Sequence, residues 1–295
     1  MSKNVFSASF HPDYEQTLRP ILEADGFILA SVEHAFWQAQ KGRVFITFYR
    51  SGKVVVRGKN AEEYAQNYLN PLKAKQRIHG LESVTDLSDW IGTDESGKGD
   101  LFGPLVVAAV FVDNKSEHQL WQLGVKDSKK MSDQKITEIA AIIRRKFVHS
   151  VVSFSPKRYN QLYKNYKNLN KLLAAAHAQV IKILVEKTQC SVVICDQFGD
   201  KSLIQTSLNI TKPITLIQKT GAEENLAVAA ASIVARQQFV RSLSDMSLKY
   251  GIVFPRGASQ KVIQAGELFL TKYSEQELAK VAKLHFKTVK LLLKK

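Results

Sequence analysis

The stretch WIGTDESGKGDLFGPLVVAAVFV, residues 90–112, decides the fold. Its first apolar run predicts a short strand from Trp90 to Thr93, and its last predicts a second strand from Leu105 to Val112. The second run is apolar throughout, which is typical of a strand buried on both faces of a sheet in α/β proteins. Acidic residues and glycines separate the two strands, so the backbone there can approach a ligand closely.

Part of this stretch has the spacing of a phosphate-binding loop, GxxxxGK[ST], because Gly92 is followed by Gly97 and Lys98. Gly99, however, stands where that loop has the hydroxyl that binds magnesium. Asp94 and Glu95 also place two negative charges in a loop that would have to bind phosphates. The segment therefore allows a P-loop nucleotide hydrolase, a plain turn, or a site that binds phosphate through metal ions held by carboxylates.

The chain is 295 residues long, which predicts one larger and one smaller domain. It carries 42 Lys and Arg against 27 Asp and Glu, a net charge of +15. Residues 1–88 hold 11 basic and 9 acidic residues, and the remainder hold 31 and 18. A basic excess of this size indicates a polyanionic partner, most often a nucleic acid. A protein that binds RNA or a hybrid without cutting it is an alternative that the charge also allows.

Cysteine usage and hydropathy give expectations about the compartment. The two cysteines, Cys190 and Cys195, lie in an apolar run and lack the clustering of a zinc site, so we interpret them as core residues. The sequence shows neither an export signal nor a stretch of eighteen apolar residues. We expect a cytoplasmic monomer that does not associate with membranes.

Residues 1–80 predict a small α+β domain. Two β-rich runs, from Val44 to Tyr49 and from Val54 to Arg57, predict a hairpin. Five residues lie on or beside this hairpin, and alternation would place a basic, partly aromatic stripe on one sheet face: Tyr49, Arg50, Lys53, Arg57 and Lys59. The stripe is either a surface that binds nucleic acid or a solvated face.

Two further signals complete the front of the chain. Asn60, with Glu63 three residues later, predicts a capping box that opens a helix from Ala61 to Leu69. The polar stretch from Lys73 to Asp89 predicts a linker.

Residues 81–295 predict a larger α/β domain. Further strands are predicted from Val148 to Phe154 and from Val192 to Cys195, and Ser132 predicts the start of a helix between them. A second helix is predicted from about Leu169 to Lys187, and a long Ala-rich one from about Asn225 to Lys249.

Acidic residues follow or end several of these elements. Asp94 and Glu95 follow the first strand, Asp196 follows another, and Glu223 and Glu224 precede the Ala-rich helix. Ligands of open α/β sheets bind at the carboxyl ends of the strands. A cluster of carboxylates in a cleft needs positive charge, because like charges raise one another's pKa. Two Mg²⁺ or Mn²⁺ ions would supply it and would support hydrolysis of a phosphodiester.

Other polar residues allow structural interpretations. His177, on the Ala-rich side of a helix, is interpreted as a packed core histidine, and Ser232 as a small residue that lets helices pack closely. The basic segment of residues 126–130 is either a solvated turn or a phosphate contact. We derive no role for His285 from the sequence.

The sequence IGTDESGKGDLFGP, residues 91–104, resembles the signature of type 2 ribonucleases H, most closely that of the ribonuclease HIII branch. Five further segments match the family in the same order: GVKDSKKMSDQKI from Gly124, DQF from Asp196, AVAAASIVAR from Ala227, FPRGAS from Phe254 and HFKT from His285. The first domain is similar to the extension typical of this branch, with YRSGKVVVRGKNA as its most telling stretch.

This resemblance implies a fold and an activity. It implies an RNase H-like catalytic domain in residues 81–295 and a TATA-box-binding-protein-like, substrate-binding domain in residues 1–80. The implied enzyme cleaves the RNA strand of an RNA/DNA hybrid with two Mg²⁺ or Mn²⁺ ions, leaving 5′-phosphate and 3′-hydroxyl ends. Cleavage at single ribonucleotides in duplex DNA, as in the ribonuclease HII relatives, is the nearest alternative.

The resemblance also implies the site residues. Asp94, Glu95 and Asp196 match the first three members of the family's acidic tetrad and its metal ligands. The fourth catalytic acid is Glu223, with Glu224 as its rival, because the loop is a residue shorter than the family pattern. The substrate-binding residues, which would face the 2′-hydroxyl of the RNA, are Ser96, Gly97, Lys98 and Gly99.

Overall fold

The computed structural model describes residues 4–10, 14–70, 89–125, 128, 131–200, 202–210 and 212–293. The chain divides into two compact units, Met1–Asp86 and Leu87–Lys295. The predicted linker lies outside the described residues except for Asp89, so the boundary at residue 80 stays a prediction. None of the helices in the described part of the chain is both long and apolar enough to cross a bilayer.

The N-terminal unit contains an antiparallel sheet of five strands and, among its described residues, two complete helices. The strand order is β1-β5-β4-β3-β2. The predicted hairpin is confirmed as β4 and β5. The elements are β1 (Val5–Ser9), α1 (Tyr14–Ala24), β2 (Ile28–Ala30), β3 (Ala35–Lys41), β4 (Val44–Tyr49), β5 (Lys53–Arg57) and α2 (Ala61–Tyr68).

The predicted capping box at α2 is wrong. Asn60 has a left-handed backbone, with φ of 62°, and its side chain makes no capping hydrogen bond. Its amide donates instead to the Glu63 carboxylate at 3.1 Å. Asn tolerates positive φ better than most residues, so the chain turns into the helix through the backbone of Asn60.

One face of this sheet carries polar, aromatic and basic side chains. The indole of Trp37 donates to Glu15 of α1 at 3.0 Å, so α1 lies against the face that Trp37 shares with its partner Phe48. Alternation places the neighbours of these residues on the opposite face. That face carries Tyr49, Lys53 and Arg57, together with Phe45, Gln38 and Gln40.

The C-terminal unit is built on a mixed sheet of five strands in the order β10-β9-β6-β7-β8. Strands β6, β9 and β10 run parallel, whereas β7 pairs antiparallel with both β6 and β8. The strands are β6 (Asp89–Ser96), β7 (Leu105–Asp113), β8 (His149–Phe154), β9 (Val192–Asp196) and β10 (Thr215–Lys219).

Helices flank the sheet, and the helices predicted from Ser132, Leu169 and Asn225 are confirmed as α4, α6 and α8. A 3₁₀ turn, Ala222–Glu224, precedes α8. The helices are α3 (Asn114–Gln122), α4 (Asp133–Lys146), α5 (Pro156–Tyr166), α6 (Leu169–Thr188), α7 (Ser202–Leu208), α8 (Leu226–Tyr250), α9 (Gln260–Lys272), α10 (Glu275–Leu278) and α11 (Lys287–Leu292).

Strand β6 extends three residues beyond its predicted end. It continues to Ser96 because β7 goes on pairing with it, with Asp94 opposite Ala108 and Glu95 opposite Val107. Its parallel partner β9, by contrast, pairs with it only as far as Thr93. Asp94 and Glu95 therefore lie within β6, at the point where its parallel neighbour ends.

Gly92 brings β6 into contact with the start of α8. A Cβ atom at this position would lie 2.2 Å from the carbonyl carbon of Ala227 and 2.2 Å from the backbone nitrogen of Val228. The indole of Trp90 fixes the same contact by donating to Asn225, whose side chain caps α8, at 3.1 Å. This glycine therefore serves helix packing, because only the absence of a side chain allows so close an approach.

Candidate active site

Strands β6 and β9 deliver three carboxylates to one edge of the sheet. Thr93 of β6 pairs with Cys195 of β9, so Asp94 and Asp196 come next along two adjacent parallel strands. Both side chains, and that of Glu95, are partly buried. The structure thus brings together the three residues expected to bind metal.

The pKa of Asp94 is shifted by the negative charges of its neighbours. Burial and the negative charges of Glu95 and Asp196 raise the pKa of Asp94 to about 7, although hydrogen bonds from Ser232 and from the Glu95 backbone act in the opposite direction. The backbone nitrogen of Glu95 lies 2.8 Å from Asp94 Oδ1. Negative charge concentrated at such a site favours the binding of a cation.

Glu95 has two basic neighbours. Its Oε2 lies 3.2 Å from Nε2 of His177, and its Oε1 lies 3.4 Å from Nζ of Lys98. Burial alone would raise the pKa of Glu95, but the hydrogen bond and charge of His177, together with the charge of Lys98, hold it below its usual value. Glu95 therefore stays ionised more readily than Asp94.

Two polar residues of this site have contacts that the sequence did not indicate. His177 is buried, as expected of a core histidine, but it also reaches Glu95 from α6. The Ser232 hydroxyl bonds to Asp94 and lies 2.8 Å from the Ser128 hydroxyl. Because a carboxylate can only accept, Ser232 donates to Asp94 and accepts from Ser128.

Ser128 ties the basic segment of residues 126–130 to this site. Its carbonyl accepts from Arg236 of α8 at 2.6 Å, and the same guanidinium donates to Asp133 at 3.1 Å. Asp133 accepts a further bond from Arg256 at 3.1 Å. The four neighbours of Ser128 in this segment lie outside the described residues, so their phosphate contact stays a prediction.

The two candidates for the fourth acid lie in the 3₁₀ turn before α8. The backbone nitrogen of Ala222 donates to Asp196 Oδ1 at 3.3 Å, which places the turn against the acidic cluster. Glu223 is partly buried there, whereas Glu224 is exposed. Burial favours Glu223, the candidate preferred from the sequence.

The glycine-rich loop joins β6 to its antiparallel neighbour β7, whereas a P-loop joins a strand to a helix. This connection argues against the nucleotide-hydrolase alternative. Gly97 has φ of +88°, and a Cβ there would lie 2.2 Å from the carbonyl oxygen of Pro104. Gly99 has open space around it, and Lys98 is partly exposed. Ser96, the last residue of β6, pairs with Val106.

A buried lysine donates hydrogen bonds to backbone carbonyls of this loop. Lys283 is fully buried, and its ammonium donates to the carbonyl of Asp100 at 2.8 Å and to that of Phe102 at 3.4 Å. The Asp100 carboxylate accepts from the backbone nitrogen of Gly257 at 2.6 Å. Gly257, in the family-like stretch FPRGAS, and the buried Lys283 thus fix the far end of the loop.

We expect the effect of Lys283→Met on the free energy of unfolding to depend on pH. Burial lowers the pKa of Lys283 to about 7, against the opposing charge of Asp100. Between pH 7 and 10, Lys283 binds a proton in the unfolded state but not in the folded state. The contribution of Lys283 to the stability of the folded state therefore grows with pH. The free energy of unfolding of the wild type minus that of the variant should rise by up to about 1.4 kcal/mol per pH unit.

Urea unfolding at several pH values measures this difference. The exposed Lys290→Met is the matched control and should show no such trend. A difference between wild type and Lys283→Met that stays constant from pH 7 to 10 would contradict the expectation.

The donor chemistry of the acidic cluster fits hard divalent cations, which prefer carboxylate oxygens. Within the described residues, no three His, Cys, Asp or Glu side chains are already arranged as a complete metal-binding set. Glu95 instead directs its two oxygens at His177 and Lys98. Lys98 therefore supplies positive charge next to Glu95, and its side chain is flexible.

Comparison with known proteins shows the family. A family model described as Ribonuclease HII matches residues 91–289, and one described as a domain of unknown function (DUF3378) matches residues 23–79. Ribonuclease HIII of Protochlamydia amoebophila (strain UWE25) is 39% identical over 93% of this chain and 92% of its own length. Ribonuclease HIII of Chlamydia pneumoniae is 40% identical over 93% of both chains.

Solved structures agree with this grouping. The crystal structure of Bst-RNase HIII in complex with Mn²⁺ matches with a TM-score of 0.67 and 29% identity, covering 98% of each chain. The Aquifex aeolicus RNase H3 structure matches with a TM-score of 0.58 and 27% identity, covering 96% of this chain. The RNase H-like fold is thereby confirmed, whereas the TATA-box-binding-protein-like fold of the N-terminal unit stays a prediction. The chain belongs to the ribonuclease HII family, in its ribonuclease HIII branch, and is a metal-dependent ribonuclease H.

Proposed function

We propose that this enzyme cleaves the RNA strand of RNA/DNA hybrids by a two-metal mechanism, leaving 5′-phosphate and 3′-hydroxyl ends. The observation that carries the proposal is the position of Asp94 and Asp196 on adjacent parallel strands, with the charge of Asp196 raising the pKa of Asp94. Such a pocket suits dications and, through them, a phosphodiester.

Four residues would hold the ions in this proposal: Asp94, Glu95, Asp196 and Glu223. Two bound Mg²⁺ or Mn²⁺ ions would supply an activated water and neutralise charge on the leaving oxygen. Asp94 and Asp196 present carboxylate oxygens from the strands, and Glu223 presents one from the turn that Asp196 anchors. Lys98 would exchange its contact with Glu95 for a phosphate of the substrate, because it is the partly exposed member of that ion pair.

The loop after β6 would select RNA. Gly99 has open space around it, so the backbone N–H and carbonyl groups next to Lys98 can approach a 2′-hydroxyl, the group that distinguishes RNA from DNA. Ser96 adds a hydroxyl at the start of the loop. The support from Lys283 would keep this backbone in one conformation during binding.

The N-terminal unit would contribute to hybrid binding through the sheet face opposite α1. On that face Lys53 and Arg57 are exposed and Tyr49 is partly exposed. A face that combines basic and aromatic side chains suits a nucleic acid, because it offers phosphate contacts and stacking surfaces together.

We expect Arg57→Gln to reduce the salt dependence of hybrid binding. Loss of one phosphate contact lowers the slope of log K against log salt concentration by about 1. Fluorescence anisotropy with a labelled hybrid in Ca²⁺ buffer, at several salt concentrations, measures the slope. Arg43→Gln, the same charge change at an exposed turn of the same unit, should leave it unaltered. Equal slopes for both variants would remove Arg57 from the interface.

The activity itself is tested with an end-labelled RNA strand annealed to DNA, incubated with and without Mg²⁺ or Mn²⁺. We expect internal cleavage only with the cation and products that a ligase can join, since ligation requires 5′-phosphate and 3′-hydroxyl ends. Duplex DNA with a single ribonucleotide separates this specificity from cleavage of the ribonuclease HII type. Hybrid binding without cleavage at any cation concentration would overturn the proposal.

A further inference from the structure

His177 occupies a fixed position behind Glu95. Its ring is fully buried in the C-terminal unit and stacks on Phe198 with centroids 4.9 Å apart. Nδ1 lies 2.9 Å from the Thr93 hydroxyl, and Nε2 lies 3.2 Å from Glu95 Oε2. The imidazole therefore bridges two residues of β6 from helix α6.

The direction of these hydrogen bonds follows from the available protons. The Thr93 hydroxyl has one proton, and it lies 2.8 Å from the carbonyl of Ala108, which can only accept. Thr93 therefore donates to Ala108 and must accept from Nδ1–H of His177. This bond fixes the plane of the ring and aims Nε2 at the carboxylate of Glu95, which can only accept, so Nε2–H is the donor of the second bond.

The other oxygen of Glu95 has a less permanent partner. Lys98 is 36% exposed, whereas His177 is 1% exposed. A long exposed side chain can move away when a cation or a phosphate arrives. A buried ring that is stacked on Phe198 and bonded to Thr93 cannot, so one oxygen of Glu95 stays fixed while the other becomes available.

We propose that His177 is a positioning residue for the metal site: it holds Glu95 Oε2 and thereby presents Oε1 to a divalent cation. This inference rests on the proposed role of Glu95 as a metal ligand. Residues that bond to metal ligands in this way typically change metal affinity about 10- to 100-fold when replaced.

A matched pair of amide variants tests the proposal in the full-length chain. His177→Asn places its amide near the position of Nδ1, so it can bond to Thr93 but does not reach Glu95. His177→Gln extends its amide to the position of Nε2, so it can still donate to Glu95. Both variants remove the ring from Phe198, and thermal unfolding in EDTA measures the loss of packing that they share.

Isothermal titration calorimetry with Mn²⁺ alone, without substrate, provides the readout. We expect His177→Asn to bind Mn²⁺ about 10- to 100-fold more weakly than the wild type and His177→Gln to stay within about threefold of it. Equal Mn²⁺ affinity for the Asn variant and the wild type would overturn the proposal, as would equally weak binding by both variants. A wild-type chain that binds no Mn²⁺ would instead contradict the metal site itself.

Discussion

Asp94→Asn is expected to lower the rate of hybrid cleavage by at least about 1,000-fold, because bound cations supply several kcal/mol of transition-state stabilisation and each 1.36 kcal/mol is tenfold in rate. The amide has one acceptor oxygen and no charge, so it cannot replace the carboxylate between Glu95 and Asp196. The affinity for the hybrid, measured in Ca²⁺ buffer, should stay close to that of the wild type. Single-turnover cleavage of a labelled hybrid measures the rate.

The same substitution should stabilise the cation-free protein. Because the folded state raises the pKa of Asp94 to about 7, folding penalises the ionised carboxylate. The sign follows from proton binding: between pH 4 and 7 the folded Asp94 holds a proton that the unfolded one has lost, so wild-type stability falls as pH rises through this range. Above pH 7 in EDTA, the Asn variant should therefore unfold at a higher temperature than the wild type. Added Mn²⁺ should stabilise the wild type more than the variant.

Asp245→Asn makes the same chemical change at an exposed position on α8 and serves as the control for both measurements. It should alter neither the cleavage rate nor the response to Mn²⁺. Cleavage by Asp94→Asn at the wild-type rate would remove this residue from the mechanism. A variant that is inactive and also unfolds at a lower temperature in EDTA would show that the loss has a structural cause.

Glu223→Gln and Glu224→Gln should separate the two candidates for the fourth acid. Glu223 is partly buried in the turn that bonds to Asp196, whereas Glu224 is exposed. We expect the Glu223 variant to lose about 100-fold or more in cleavage rate and the Glu224 variant to stay within about threefold. The Mg²⁺ concentration that gives half-maximal rate should rise for the first variant alone.

The two glutamates are adjacent and carry the same charge, so each variant is the control for the other. A large loss in Glu224→Gln with normal activity in Glu223→Gln would reverse the assignment. Equal and small losses would show that three carboxylates suffice for cleavage.

Local patterns in the sequence predicted four of the five strands of the C-terminal unit and its helices α4, α6 and α8. The apolar run from Leu105 predicted β7, and Ser132 with its apolar periodicity predicted α4, whose buried residues are Ile136, Ile139, Ala140 and Ile143. These patterns work because strand and helix periodicities are properties of neighbouring residues. The end of β6 was predicted three residues too early, since only its pairing with β7, a non-local contact, extends it.

The sequence by itself determined the family and the acidic residues that follow the apolar runs of β6 and β9, because motif spacing and hydrophobic periodicity are local. Only the tertiary structure decided which polar groups contact those acids and the residues around them. His177 meets Glu95 across 82 residues, Ser128 meets Ser232 across 104, and Lys283 meets the glycine-rich loop after β6 across 183. Such contacts arise when separate elements pack against one sheet, so no pattern within a single segment records them.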